Sequence, residues 1–283
     1  MSFVTSEKIL QDAKRHHYAV GAFNVENMEM IKAVIKAAEA ERAPVILQTT
    51  PSSVRYATLK TFVSMARAEA DQAAVPVVLH LDHGDSFSLA VRAIKEGYTS
   101  VMIDGSLLPF EENITLTKRV VEAAAPNNIP VEAELGHVGG REDEEESRAG
   151  LYTETDEAAQ FVSRTGVSSL AVAVGTAHGF YNKKPVLNQQ RLKEIKEAVS
   201  VPLVLHGASG LSDNDIERCI LSGICKVNFA TELRTAYTEA VRLILREQPG
   251  IYDPKAMGKA AMEQVTAQVR HRIRICSGMN TAR

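Results

Sequence analysis

The chain is poor in cysteine, in surplus positive charge and in long apolar runs, and each shortage removes a class of function. Its cysteines, Cys219, Cys225 and Cys276, are odd in number. Their spacing matches neither a zinc knuckle nor a CxxC redox pair, so they read as reduced, structural thiols. Lys and Arg number 32 against 35 Asp and Glu, and the net charge of -3 leaves no basic excess to hold nucleic acid by its phosphates. No apolar run approaches the roughly 18 to 20 residues that cross a bilayer. The segment MSFVTSEKILQDAKRHH has acids and no signal-peptide core, so a cytoplasmic protein is expected, with neither membrane nor nucleic acid as a partner. A Pro/Ser-rich linker and a break in composition are also missing, and residues 1–283 are expected to form one domain.

Short β-branched runs alternate with longer helical patterns along the whole chain, the order of parallel strands joined by crossover helices. The expected strands are YAVGAF (18–23), PVILQT (44–49), PVVLHLDH (76–83), SVMID (100–104), PVEAELG (130–136), SLAVAVG (169–175), PLVLHG (202–207) and CKVNFA (225–230). Pro44, Pro76, Pro130 and Pro202 open four of them, where a missing N–H costs no ladder bond. Segments such as NMEMIKAVIKAAEAER and NQQRLKEIKEAVS carry apolar residues at three- and four-residue spacings, as amphipathic helices do. Eight such units fill the chain, and a (β/α) barrel commonly takes about 250 residues. The expected fold is α/β: a single (β/α)8 TIM barrel, preferred over a doubly wound open sheet, with a C-terminal helical extension.

In such a barrel the active site lies at the C-terminal strand ends. His83, His178 and His206 each follow an apolar run and precede glycine, and three neutral imidazoles on rigid elements give a transition metal three ligands and an open position. Asp82 adjoins the first, where an acid/base belongs. Asp104, Glu134 and Asn228 fall at other strand ends. His80 shares the parity of Asp82 but lies deeper, which suits a structural hydrogen bond, while His16, His17 and His271 read as surface. Glu132 and Glu134 share one face; Glu132 is either part of a buried network or a cation ligand, and Glu134 with Asp104 suits a second cation or an alternative zinc position. The run GHVGGREDEEESRAG (136–150) is a solvated acidic loop by default, but its Gly-Gly pair beside the site suits a lid from which Glu142 swings in. HGF, HGASG and NFATEL follow the last strands, where barrels often bind phosphate.

With LHLDHG, MIDGS, VEAELG, GGRED, SLAVAVGTAHG, PLVLHGASG and KVNFATEL assembled, the sequence resembles the zinc-dependent class II aldolases of ketose bisphosphates along nearly its whole length, from GAFNV to SGMN. Within that family it is most similar to the tagatose-bisphosphate branch. The resemblance implies reversible cleavage of a ketose 1,6-bisphosphate to dihydroxyacetone phosphate and glyceraldehyde 3-phosphate. It implies a catalytic Zn2+ on His83, His178 and His206, with Asp104 and Glu134 at a second or alternative cation position. By the same resemblance, Asp82 moves the proton of the C4 hydroxyl and Glu142 the C1 proton. Asn24, Thr50, Gly179, Gly207, Ala208, Ser209, Asn228, Phe229, Ala230 and Thr231 match the substrate-binding segments. A homodimer or homotetramer follows, with or without an accessory subunit. Cleavage of this kind needs no lysine Schiff base, and a nucleophilic Lys226 would leave the three histidines unexplained. The chain departs from its relatives at Gly84 and Asp85, where many have a second histidine, and across QTTPSSVRY (48–56), where the distal sugar end is read. It also has Ala230 where the fructose-specific branch commonly has aspartate, which favours tagatose over fructose as the substrate. The rival reading from another class is a metal- and phosphate-binding barrel subunit that needs a partner protein.

Overall fold

Each expected β-branched run forms a strand, and in the computed structural model these close into a barrel of eight parallel strands. The structure describes residues 3–142, 145–147, 152–179, 181 and 185–278, with only the backbone of 141–142 and 145–147. The barrel strands are β1 Val20–Asn24, β2 Val45–Thr49, β3 Val77–Gly84, β4 Ser100–Ile103, β5 Val131–Leu135, β6 Ser169–Val172, β7 Leu203–Leu205 and β8 Ile224–Phe229. Each pairs with the next, and β8 returns to β1 with Val20 opposite Lys226. The four prolines stand one residue ahead of their strands rather than inside them. The carbonyls of Pro76, Pro130 and Pro202 accept from Val45, Val101 and Leu170, finishing the N-terminal rim with acceptors a proline can still supply.

The helices are α1 Ser6–His16, α2 Met28–Glu41, α3 Pro51–Ala57, α4 Leu59–Ala70, α5 Phe87–Glu96, α6 Phe110–Ala124, α7 Thr155–Thr165, α8 Gln189–Ala198, α9 Asp213–Leu221, α10 Thr231–Glu247 and α11 Pro254–Cys276. They form where apolar residues recur on one face. In α2 the buried residues Met30, Ile31, Val34, Ile35 and Ala38 follow that spacing, and Asn27 caps the first turn by accepting from the Met30 N–H at 2.9 Å. Helix α1 precedes the barrel and seals its floor, with Ile9, Leu10 and Ala13 packed on Val20, Ala22, Ile46 and Val78. Helix α11 is the expected C-terminal extension. It lies on α2, where Glu41 receives the Arg270 Nε at 2.6 Å and the Arg274 Nε at 2.8 Å.

One irregularity positions the site. Strict alternation would send Asp82 and His83 to opposite faces of β3. Between β3 and β4 the register passes from Leu81 opposite Val101 to Gly84 opposite Ile103, so β3 spends one more residue than its neighbour, and His83 takes a left-handed φ of 46°. This bulge turns both side chains toward the barrel mouth. It also presses Gly84 against β4, where a Cβ would lie 2.4 Å from the Met102 carbonyl oxygen. The interval between β5 and α7 differs from the loop expected there. Its residues Gly139–Glu142 and Glu145–Ser147 pair antiparallel, and the first runs parallel to Ala177–His178 in a separate three-stranded sheet. Gly140 (φ 106°) has no room for a side chain, because a Cβ there would lie 2.3 Å from the His178 carbonyl oxygen.

Candidate active site

The interior of the barrel is polar where most barrels stack branched apolar residues. In the deeper layer Lys226 Nζ donates to both oxygens of Glu132, at 3.0 and 2.9 Å, and lies 3.4 Å from His80 Nε2. The other nitrogen of His80 meets Ser100 Oγ at 2.8 Å, and Ser100 Oγ meets Ser6 Oγ at 2.9 Å. Burial and the Lys226 charge push the His80 pKa well below its ordinary value, so His80 is neutral. Burial works against the charge of Glu132, but Lys226 and His206 hold its pKa far below the usual carboxylate range. Glu132 thus belongs to a buried network, His80 has the structural role expected, and Lys226 is committed to an ion pair rather than poised as a nucleophile.

Above this layer Asp82, fully buried, accepts from three amides: Asn24 Nδ2 at 3.1 Å, Gln48 Nε2 at 3.0 Å and Asn228 Nδ2 at 3.2 Å. Gln48 opens the divergent run QTTPSSVRY and shares the inward parity of Ile46, but nothing in the sequence marks it as a partner of Asp82. Asp82 itself borders neither cavity at the mouth. Asn24 and Asn228 lie between it and the smaller one.

The three histidines converge. Their ring centroids are 5.1 Å apart for His83 and His178, 4.6 Å for His83 and His206, and 6.0 Å for His178 and His206, and one nitrogen of each lies within 4.8 Å of the others. Their supports differ. His83 sits in the bulge, His206 follows β7 directly, and His178 belongs to the three-stranded sheet, well past the end of β6 at Val172. Each barrel-borne ring has a carboxylate on one nitrogen: Asp104 Oδ2 lies 2.7 Å from His83 Nδ1, and Glu132 Oε1 lies 3.1 Å from His206 Nε2. Such partners orient ligand histidines and leave the second nitrogen for a metal. Burial opposes the charge on Asp104, yet hydrogen bonds from His83 and Ser106 hold its pKa well below the usual range. Burial likewise disfavours a charged His206, but the carboxylates of Glu132 and Glu134 outweigh it and raise the pKa to about 9.

A cation fits this donor set. His206 Nδ1 and Glu134 Oε2 lie 3.2 Å apart without hydrogen-bond alignment, and both atoms are buried with no partner. A metal at that point would satisfy both. Asp104 and Glu134 form a second group of donors with His83, on the side expected for an alternative cation position.

Two cavities flank the histidines. The smaller, about 20 Å³, is lined by Asn24, His178, Gly179, Gly207, Ser209, Asn228, Ala230, Thr231 and Arg234. Helix α10 begins there with no side chain capping its first turn, and Ser209 Oγ accepts the Ala230 N–H at 3.1 Å. The larger, about 390 Å³, holds Thr50, Ser52, Arg55, His137, Leu107, Leu108 and Leu116 as well as His83, Asp104, Glu134 and His178. Seven of the expected binding residues therefore border the small cavity, and Thr50 borders the large one. Ala208 and Phe229 border neither. The Phe229 ring is buried against Phe23, with centroids 5.4 Å apart, so its side chain packs in the core. The side chain of Glu142 lies outside the described residues, although its backbone ends the strand Gly139–Glu142. Arg234, held by Glu26 at 2.8 Å, is a cation at the small cavity that the motifs do not mark, and Arg55, within the run QTTPSSVRY, is one at the large cavity.

Fold and site together describe a barrel whose mouth gathers imidazole and carboxylate donors suited to a cation. The family profile described as class-II fructose-bisphosphate aldolase matches residues 4–281. Among solved structures, the YdjI aldolase from Escherichia coli K12 is 40% identical, with a TM-score of 0.88 over 99% of this chain and 100% of that one. A fructose-bisphosphate aldolase from Campylobacter jejuni shares the fold at 24% identity, with a TM-score of 0.84 over 97% and 95% of the two chains. The chain belongs to the class II fructose-bisphosphate aldolase family and is an aldolase, a carbon–carbon lyase. That family is metal-dependent, acts on phosphorylated sugars and is typically oligomeric. Among the described residues no helix is long and apolar enough to cross a membrane.

Proposed function

We propose that the protein is a zinc-dependent aldolase that reversibly cleaves a ketose 1,6-bisphosphate, foremost tagatose 1,6-bisphosphate, to dihydroxyacetone phosphate and glyceraldehyde 3-phosphate. The observation that carries this reading is the convergence of three imidazoles, two supported by carboxylates and one carried by the small sheet, beside a small and a large cavity. His83, His178 and His206 hold the ion, which supplies Lewis-acid stabilisation of the negative charge that C3–C4 cleavage places on the ketose oxygens. Asp104 and Glu134 remain as a second cation position. The dihydroxyacetone phosphate end enters the small cavity. There the uncapped start of α10, the backbone at Gly179 and Gly207, Ser209 and the Arg234 guanidinium favour an anion.

The aldehyde end lies in the large cavity, which Thr50, Ser52 and Arg55 help to line. Asp82 takes or gives the C4 hydroxyl proton after leaving its amide partners, since catalytic contacts often tighten only when substrate is bound. Glu142 handles the C1 proton. The preference for tagatose rests on Ala230, which lines the small cavity without a carboxylate to steer the sugar. Cleavage of the fructose epimer is the second reading, favoured by the description of the family. The chain works in the cytoplasm as a homodimer or homotetramer, in keeping with three buried, unpaired cysteines.

The test is a coupled assay of the purified chain on both epimers. Cleavage is expected with zinc and lost on chelation, with kcat/KM for tagatose 1,6-bisphosphate exceeding that for the fructose epimer by about 1 to 3 kcal/mol in transition-state binding. Ala230→Asp should narrow that gap. Faster cleavage of the fructose epimer overturns the branch, and full activity without metal overturns zinc. Saturable binding without turnover favours a subunit that needs a partner.

A further inference from the structure

His137 has no place in the constellation described so far. It follows β5 and Gly136, half-buried, on the wall of the large cavity. Its Nδ1 lies 3.3 Å from Ser106 Oγ, and the Ser106 N–H donates to Asp104 Oδ1 at 2.9 Å. The ring is therefore anchored to the turn that also holds Asp104 against His83. Its Nε2 is shielded from solvent and has no hydrogen-bond partner. A native fold seldom leaves a buried nitrogen in that condition, because the lost hydration is not returned. Here the residue lines a cavity large enough to hold the substrate group that would complete that nitrogen once the ring turns toward it.

The neighbourhood defines that group. Leu107, Leu108 and Leu116 offer an apolar surface to C–H bonds, and Arg55 offers a charge further out. An imidazole nitrogen donates in one tautomer and accepts in the other, and a hydroxyl serves either. We propose that His137 is a specificity-determining residue that hydrogen-bonds, through Nε2, a hydroxyl on the aldehyde half of the substrate, and so selects hydroxylated aldehydes over unsubstituted ones. This rests on the aldolase reading above, with dihydroxyacetone phosphate as the other half.

The experiment runs the reaction toward condensation. Wild type, His137→Ala and His137→Gln are given dihydroxyacetone phosphate with glyceraldehyde 3-phosphate, with glyceraldehyde or with propanal, and bound zinc is measured in each. In His137→Ala the ratio of kcat/KM for glyceraldehyde to that for propanal should fall by roughly tenfold or more, the scale of one buried hydrogen bond, chiefly through KM. His137→Gln, which keeps a donor and an acceptor, should recover part of the ratio. Equal losses on both aldehydes, or loss of zinc, would reassign His137 to support of the metal site and overturn the proposal. An unchanged ratio overturns it as well. Solvent exchange of the C1 proton of dihydroxyacetone phosphate by wild type separates the two readings: without exchange or condensation the aldolase reading fails and takes this one with it, and with them only the role of His137 is at stake.

Discussion

Asp82 shows how far a residue can be understood from its neighbours in the chain. Its position before His83 suggests an acid/base next to a ligand, and the structure adds three amides that hold the carboxylate in place. Asp82→Ala is expected to retain zinc near wild-type stoichiometry while kcat falls by roughly 10² to 10⁴-fold, the usual loss for a general acid/base. Steady-state kinetics with metal analysis checks this, and loss of metal would make Asp82 a ligand instead. The same variant strands the amides of Asn24, Gln48 and Asn228, so unfolding should also become easier by about 1 to 3 kcal/mol. The three histidines were legible from residue type and from their places after apolar runs, although His178 stands in the small sheet and not at the end of a barrel strand. Gln48 and Lys226 were not, because their partners come from other strands, and parity names the face without naming who shares it.

At the scale of elements, the barrel strands and the crossover helices were legible, since both follow from periodicity, whereas the small sheet at 139–142, 145–147 and 177–178 was not. The bulge in β3 was not: alternation in VVLHLDH argues for opposite faces, and only the register with β4 shows the extra residue. Gly84→Ala tests it. A methyl 2.4 Å from the Met102 carbonyl oxygen would force β3 and β4 apart, costing about 1 to 3 kcal/mol in urea unfolding and lowering bound zinc through His83. A second test concerns the seam between α2 and α11. Hydrogen bonding from Arg274, reinforced by Arg270, lowers the pKa of Glu41 against the opposing effect of burial. A folded-state pKa below the unfolded one means that folding opposes protonation. The stabilisation is therefore complete above the ordinary carboxylate pKa and drains away as pH falls through and below it. Thermal unfolding followed across that acid range should show Glu41→Gln losing less stability than wild type.

At the scale of the whole molecule, the polar barrel interior gives the site a hydrogen-bonded floor. His80, Glu132 and Lys226 come from β3, β5 and β8, and each completes the others' hydrogen bonds beneath the ligands. Strand parity marks His80 and Glu132 as inward-facing but does not join them to Lys226, because the three are separated by dozens of residues and meet only when the barrel closes. His178 is instead carried by the small sheet in which Gly140 lies opposite it. An ion gripped by all three imidazoles would act as a rivet, fastening an appended piece of chain to a scaffold that stands without it. Metal and mechanical order then become one equilibrium, since whatever binds only the assembled arrangement stabilises it. Addition of zinc should slow amide hydrogen exchange at Gly140 and His178 well before it affects β1, and equal protection at both places would show that the sheet needs no such fastening.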